Sequence, residues 1–499
     1  MSEAAIEQRS QNARPHLRPL YGAAQVREID RRAVAGQTSA GYALMQRAAV
    51  AAWRELRERK PDAARIDIVC GPGNNGGDGY AIASLAKNDG VEVRVWAVGE
   101  PRPGSEAALA CAAWRQLGTV HPYAPGVLDG AGLIVDALYG TGLSRAPVHA
   151  AAVAIAEIRS SRAWVLAVDL PSGLHADTGQ PLAQAVRADL TVSFIGRKFG
   201  LYTAQGPDHA GERVFDSLGI DADADIESLA HLLDASELRS ALPKRARGAH
   251  KGGNGYVLLI GGDSGFAGAI LLAARAALRS GAGLVAVATR GEHAGVLAAA
   301  QPEAMFRGVD DAGALQPLLK KASVIAIGPG LGQHDWGRAM WRAALETRLP
   351  LVVDADALNL LAQTPTRRDN WVLTPHPGEA ARLLGRDVKT IEADRLKAAR
   401  ALADRYGGSA VLKGAGTLIA GASGVAVCPY GNPGMATGGM GDTLTGIVGA
   451  LIAQQLPPET AARIGVLAHA RAGDLAAQQG ERGLLPGDLI DSLRAVVNP

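Results

Sequence analysis

Residues 65–87 read RIDIVCGPGNNGGDGYAIASLAK, and the fold is decided by this stretch. Residues 65–70 are a short β-branched and apolar run, the pattern of a buried strand. Residues 71–79, GPGNNGGDG, form a turn rich in residues without Cβ atoms, and residues 78–87 are alanine-rich with helical spacing. Strand, glycine turn and helix in that order open a βαβ unit. Gly71, Gly73 and Gly76 satisfy G-x-G-x-x-G, whose physical content is a set of free amides at a helix N-terminus, favourable to an anionic phosphate. A tight turn with no ligand has the same letters, so the motif alone does not decide function.

The alternation continues outward. Strand patterns recur at 91–98, 133–136, 164–169 and 190–195, with a helical stretch at 150–158. This predicts a largely parallel sheet with helices on both faces. Upstream, Val26, Ile29, Leu44, Met45 and Ala48 fall at helical period within residues 24–56. Between about 216 and 255 the pattern dissolves into an acidic stretch (Asp221, Asp223, Asp225, Glu227), a short helix, Pro243 and the basic residues 244–247, the composition of a junction. It resumes with strands at 256–260, 284–288, 324–327, 351–354, 371–373 and 410–412, a helix at 267–280, and closing helices near Asp442 and after Pro457 and Pro486. The expectation is α/β throughout: two three-layer αβα domains, residues 1–225 and 226–499. A chain of 499 residues fits two domains, because one core stops growing near ~250–300 residues.

Composition excludes several classes. Lys plus Arg total 51 against 49 Asp plus Glu, which offers no basic face for nucleic acid. No apolar run approaches the ~18 residues of a membrane span. Three widely spaced cysteines without a CxxC pair argue against disulfides and a cysteine zinc site, and fit a reducing cytoplasm. The opening residues 1–20 have no apolar core and read as a tail rather than a signal peptide. The 62 glycines, well above the usual ~7%, point to many tight turns, some of which would cradle ligands.

In the first half, four strands end in glycine, carboxylate or hydroxyl groups: GPGNNGGDG, ALYGTGLSR (137–145), LPSGL (170–174) and GRKFGL (196–201). In a parallel sheet these ends share one edge, where ligands bind. The gathered set is Asn74, Asn75, Asp78, Asp136, Thr141, Asp169, Ser172 and Lys198, hard-oxygen chemistry suited to an alkali or alkaline-earth cation. Turn capping is the plain alternative for Asp136 and Asp169. A dinucleotide dehydrogenase is the rival, with Glu100 at ribose distance from the glycines. An anionic Asp78 at the helix start weighs against it.

The combination of GPGNNGGDG, DALYGTGL, DLPSGL and F-x-x-x-K-x-G-L resembles the NAD(P)H-hydrate epimerase family over about residues 20–220. The resemblance implies a Rossmann-like domain acting on NADH or NADPH hydrated at C6 of the dihydropyridine ring (NADHX and NADPHX), with interconversion of the R and S forms. It puts substrate against Asn74, Asn75, Gly76, Gly77 and Asp78, and against Gly140, Thr141, Gly142, Leu143, Ser144, Arg145 and Ala146. It also implies Asp169 at the reacting ring, potassium on Asn75, Asp136 and Ser172, and Lys198 as a further substrate-side charge. The N-terminal helix departs from the family's LMERAG, reading LMQRAA at 44–49, so Gln46 replaces a carboxylate and Ala49 a glycine.

In the second half no Walker A motif occurs, but GNPGMATGGMGD (431–442) is a glycine loop running into an apolar helix. Gly438, Gly439 and Gly441 would aim amides at an anion. Asp442, an anion beside such a site, is unfavourable unless it takes a proton from an attacking hydroxyl, or is simply an N-cap. Supporting segments are LKGAGT (412–417), GPGLG (328–332), DADALNLL (354–361), TPHPGE (374–379) and GGDSGFAGA (261–269). A lone histidine is ordinarily a structural hydrogen-bonder, but His376 between two prolines favours ligand contact; Glu379 is a candidate magnesium ligand, with a first-turn helix glutamate as the plain alternative.

HKGGNG (250–255), TPHPGEAARLL, LKGAGT and GNPGMATGGMGD resemble the ribokinase-like NAD(P)H-hydrate dehydratases over about residues 240–495. The resemblance implies ADP as co-substrate with Mg2+, release of AMP, and Asp442 activating the C6 hydroxyl of the S-hydrate. Nucleotide contacts would be Lys413, Gly414, Ala415, Gly416, Thr417 and Gly441; substrate contacts would be Ala269, Gly330, Gly332, His376 and Asp442. A cytoplasmic repair enzyme, homo-oligomeric, follows as the expectation. The alternatives are a ribokinase-type small-molecule kinase with a dinucleotide-binding domain and a non-enzymatic nucleotide sensor.

Overall fold

The computed structural model describes residues 18–35, 38–221 and 225–499. Most of the expected N-terminal tail and Asp223 lie outside these residues. The chain divides into two compact units, residues 19–230 and 231–499.

The first unit is built on a seven-stranded sheet in the order Val120–Pro122, Glu92–Ala97, Arg65–Cys70, Leu133–Ala137, Trp164–Val168, Leu190–Phe194, Glu212–Asp216. Every pairing is parallel. The chain starts mid-sheet at Arg65–Cys70, runs to one edge and returns to Leu133–Ala137, so the order reverses between these two strands. Ligands bind outside the carboxyl ends at such a point. Alternation along the strands sends Ile66, Ile68, Val95 and Val135 to one apolar layer with Leu44, Tyr80, Ile82 and Trp114. Val69, Ile134 and Val165 face the other layer with Ala154, Ile155 and Ile158 of the helix His149–Ser160. Two separate apolar clusters on opposite faces make the three layers. An alanine at Ile68 or Ile134, each with no exposed surface, would cost about 2–5 kcal/mol.

The second unit carries the strands Met305–Gly308, Leu284–Thr289, Tyr256–Ile260, Val324–Ile327, Leu351–Val353, Trp371–Leu373 and Ser409–Leu412 in parallel. The sheet then turns antiparallel through Leu418–Gly421 and Gly424–Val427. That hairpin was not foreseen, because its short runs are hard to tell from the glycine loop around them. Val257, Val285, Val324 and Val352 face a layer holding Ile447, Leu451, Leu467 and Leu489 of the closing helices. The helix Met440–Ala453 lies against Ala267–Arg279 so closely that a Cβ on Gly446 would sit 2.1 Å from the Ala273 carbonyl oxygen. Part of the glycine excess therefore serves helix packing.

All three cysteines are free and buried. Among the described residues no helix is long and apolar enough to cross a membrane.

Candidate active sites

In the first unit the helix starts earlier than its alanine-rich pattern suggests, spanning Asn74–Asn88 with Gly73 as N-cap. Asn74, Asn75 and Asp78 therefore lie in its first turns. They line a cleft of about 660 Å³ together with Gly140, Thr141, Gly142, Leu143, Ser144, Arg145, Asp169 and Lys198. Gly76, Gly77 and Ala146 are not among the lining residues. A Cβ on Gly76 would meet the Gly71 carbonyl oxygen at 1.9 Å, and one on Gly77 the Met45 side chain at 2.5 Å. These two glycines allow close packing, whereas Gly73 and Gly142 have open space where a Cβ would be. The glycine motif is thus half a packing device and half a cradle.

Asp169 follows the strand Trp164–Val168 with a left-handed backbone (φ 70°), a conformation costly outside glycine and concentrated at functional sites. Neighbouring Ile195, in the cleft wall, shares it (φ 68°). Four donors hold the Asp169 carboxylate. Thr141 donates from Oγ1 at 2.6 Å and from N at 3.2 Å, Phe194 donates from N at 3.3 Å, and Lys198 Nζ completes the set. Lys198 is buried, and a second of its donors goes to the Phe194 carbonyl at 2.6 Å.

The three residues expected to hold a cation are buried to different degrees, and each is hydrogen-bonded. Asn75 donates Nδ2 to the Val168 carbonyl at 2.6 Å, leaving Oδ1 buried without a partner. Asp136 has no exposed surface and accepts from Ser172 N at 2.8 Å and Ser172 Oγ at 2.6 Å. Burial pushes its carboxyl up to about 6 despite those hydrogen bonds. An orphaned buried amide oxygen and a buried carboxylate are donors of the kind a weakly hydrated monovalent cation takes.

Burial, with Asp169 and Asp30 adding, also drives the Asp78 carboxyl well above the usual range. The repulsion expected between Asp78 and a phosphate is correspondingly relieved. Glu100 points to solvent and pairs with Arg115 at 2.9 Å. Gln46 is exposed and Ala49 buried, while Leu44, Met45 and Ala48 of the same helix line the cleft, so the lost carboxylate faces away from it.

In the second unit the N-cap of Met440–Ala453 is Gly439 (φ 94°), not Asp442. Asp442 sits in the first turn with no hydrogen bond from any described residue. Burial and the charges of Asp354 and Asp356 lift its carboxyl to about 6, with Lys413 opposing. A carboxylate poised there accepts a proton near neutral pH.

Lys413, after the strand Ser409–Leu412, donates to Asp354 at 2.9 Å and lies 3.8 Å from Glu379. Its ammonium is close to the next loop: a Cβ on Gly441 would be 3.1 Å from Nζ. Burial opposes the Asp354 charge, but Lys413, Thr445 and Thr374 outweigh it and hold this carboxyl below its usual range. Arg395 donates to the Lys413 carbonyl at 3.1 Å, fixing the loop base, and Thr417 Oγ1 donates to the Gly414 carbonyl at 2.9 Å. Ala415 is exposed and Gly416 has the left-handed backbone (φ 62°).

His376 caps the helix Pro377–Leu384: Nδ1 accepts from Gly378 N at 3.0 Å and Glu379 N at 3.4 Å, while Glu379 accepts from His376 N at 2.8 Å. Burial and Lys413 keep the imidazole neutral to lower pH. With Nδ1 accepting, Nε2 carries the proton on a half-exposed ring. Glu379 takes part in this capping box beside an ammonium, and burial raises its carboxyl, with Lys413 opposing. Among the described residues no three His, Cys, Asp or Glu side chains converge on a metal position.

Gly330 and Ala269 come together, since a Cβ on Gly330 would lie 3.4 Å from that of Ala269. Gly332 N donates to Asp356 at 2.9 Å.

Asp354, Thr445 and Thr374 belong to this site without a motif that marks them one by one. A signal existed: LIVDA, LAVDL and LVVDA each end an apolar strand in aspartate, giving Asp136, Asp169 and Asp354.

The chain matches the family model of the YjeF-related protein N-terminus over residues 41–200 and that of NAD(P)H-hydrate dehydratase over residues 257–495. It is 47% identical over 491 residues to the bifunctional NAD(P)H-hydrate repair enzyme Nnr of Coxiella burnetii, covering 96% of this chain and 99% of that one. With the enzyme of the same name from Escherichia coli it shares 47% identity over 463 residues, 92% of this chain and 90% of that one. Among solved structures, a ribokinase-like superfamily protein from Enterococcus faecalis is 32% identical with a TM-score of 0.51, covering 54% of this chain and 95% of that one.

Proposed function

The chain belongs to the family of bifunctional NAD(P)H-hydrate repair enzymes, and from that premise we propose how its two sites divide the work. The protein is an epimerase and dehydratase of hydrated NADH and NADPH. Epimerisation belongs to residues 1–225 and dehydration to residues 226–499.

In the first unit, the open amides around Gly73 and Gly142 receive substrate phosphates, with Asn74–Asp78 and 140–146 forming the walls. Asp169, locked by its four donors, stands at the hydrated ring. Asn75, Asp136 and Ser172 would hold potassium, which supplies positive charge against Asp136.

In the second unit, ADP lies on Lys413, Gly414, Ala415, Gly416, Thr417 and Gly441, with magnesium accompanying its phosphates. The S-hydrate reaches Ala269, Gly330, Gly332, His376 and Asp442. Direct loss of hydroxide from the ring is slow because hydroxide leaves poorly. Asp442 takes the C6 hydroxyl proton, the oxygen attacks the β-phosphorus of ADP, and AMP departs. Phosphate then leaves C6, a proton leaves C5, and the ring double bond returns. Lys413 offsets the charge gathering on the phosphoryl oxygens.

The observation that carries this reading is Asp442: an unpartnered carboxylate lifted to about 6, beside Lys413 and Gly441. Incubation with S-hydrate and ADP tests it. Return of the reduced-nicotinamide absorbance with stoichiometric AMP is expected; a mixture that produces neither refutes it. Cytoplasmic residence and homo-oligomeric assembly belong to the same reading, and light scattering checks the latter.

A further inference from the structure

Epimerisation at C6 asks for two proton transfers. The C6 hydroxyl must lose its proton as its electrons form the aldehyde C=O. The C6–N1 bond then breaks with its pair going to N1, which must gain a proton. After rotation about C5–C6, N1 attacks the opposite aldehyde face, returns its proton, and the oxygen takes one back. Nothing is consumed. Such chemistry works best with a base and an acid on different sides of the ring.

Asp169 is at hand for the hydroxyl. The nitrogen side has no assigned group. Asp30, on the helix Ala23–Val34, lines the same cleft and receives no hydrogen bond from any described residue. It is partly exposed, so it can exchange its proton with water. We propose that Asp30 is the second catalytic carboxyl of the epimerase, giving its proton to N1 on ring opening and recovering it on closure.

The surroundings suit that role. Burial and the charges of Glu106 and Asp169 raise its carboxyl, with Lys198 opposing. Asp78, Arg27, Tyr139 and Arg145 complete the ionisable groups of that cleft. Asp78 is the competing acid. It lies on the helix Asn74–Asn88, where burial also raises its carboxyl, and the paired variants below separate the two.

The inference rests on the epimerase reading of this cleft, so the wild-type protein is assayed first for R–S exchange of NADHX. Absence of exchange there removes that reading before Asp30 is tested. With exchange present, Asp30→Asn should lose on the order of 10²-fold or more in kcat, with KM within about threefold. The wild-type fall in kcat at high pH should vanish in this variant. Asp30→Glu should recover part of the rate and keep the limb, and it carries the test should Asp30→Asn prove unfolded by circular dichroism. An Asp30→Asn kcat within threefold of wild type overturns the proposal, as does a loss confined to KM. So does a collapse of kcat in Asp78→Asn while Asp30→Asn turns over normally.

Discussion

Asp169 and Asp442 are the same residue type at the same kind of place, a loop or first turn beyond the sheet, yet they are built oppositely. Asp169 is clamped by Thr141, Phe194 and Lys198 in a strained backbone. Asp442 receives no donor, and burial leaves its carboxyl near 6. The contrast teaches that a shared letter in a glycine-rich setting does not specify a shared job. A carboxylate clamped by donors meets the reacting ring in one fixed orientation and takes a proton only by giving up a donor. One without donors in a dry site takes a proton directly, and the surrounding donors set that difference.

The sharpest way to break the comparison is Asp442→Asn. Dehydration should fall by on the order of 10²–10⁴-fold while R–S exchange is untouched. ADP affinity, measured by calorimetry, should change little; a lost affinity would make Asp442 a structural element. Stability is the second lever. Asp169→Asn removes the negative charge opposite Lys198, which is 1% exposed and keeps only neutral acceptors, and should cost the first unit about 3–5 kcal/mol in urea denaturation. Asp442→Asn, with no partner to orphan, should unfold at the same denaturant concentration or higher. Equal losses in the two variants would erase the distinction.

The third effect is in pH. Asp442 must be ionised to accept the hydroxyl proton, so dehydration should hold a plateau above about 6 and fall about tenfold per unit below it. Asp354 and Asp356 raise this carboxyl and Lys413 lowers it, so Asp356→Asn should move the inflection down. The smallest effect is Thr141→Val, which removes one hydroxyl donor from Asp169. About 1 kcal/mol of anchoring is lost, read as a several-fold drop in exchange rate with dehydration unchanged.

Much of this was legible in the sequence where the physics is local. The βαβ openings, the two αβ-layered units and the gathering of strand-end loops follow from apolar runs alternating with glycine turns. Less legible was the purpose of each glycine. Gly76, Gly77 and Gly446 serve close packing, which only the neighbours Gly71, Met45 and Ala273 reveal. The helix at Asn74 also began before its pattern, because two asparagines at the first turn are chosen for the cleft rather than for helical propensity. Asp354 was hidden for a related reason. Its partners Lys413, Thr445 and Thr374 lie on three other elements, and no spacing in the chain announces them. For His376 and Glu379 the plain readings, a structural hydrogen-bonder and a first-turn helix glutamate, meet in one capping box.

The most direct test of two sites with two kinds of aspartate is a single progress curve, reduced-nicotinamide absorbance against time, on a mixture of R- and S-hydrates with ADP. Wild type should convert the whole mixture. Asp169→Ala should stop at the S fraction apart from slow spontaneous exchange, and Asp442→Asn should convert nothing while still equilibrating the epimers by chromatography. Asp169→Ala consuming both epimers at the wild-type rate, or Asp442→Asn restoring absorbance at that rate, would contradict the account.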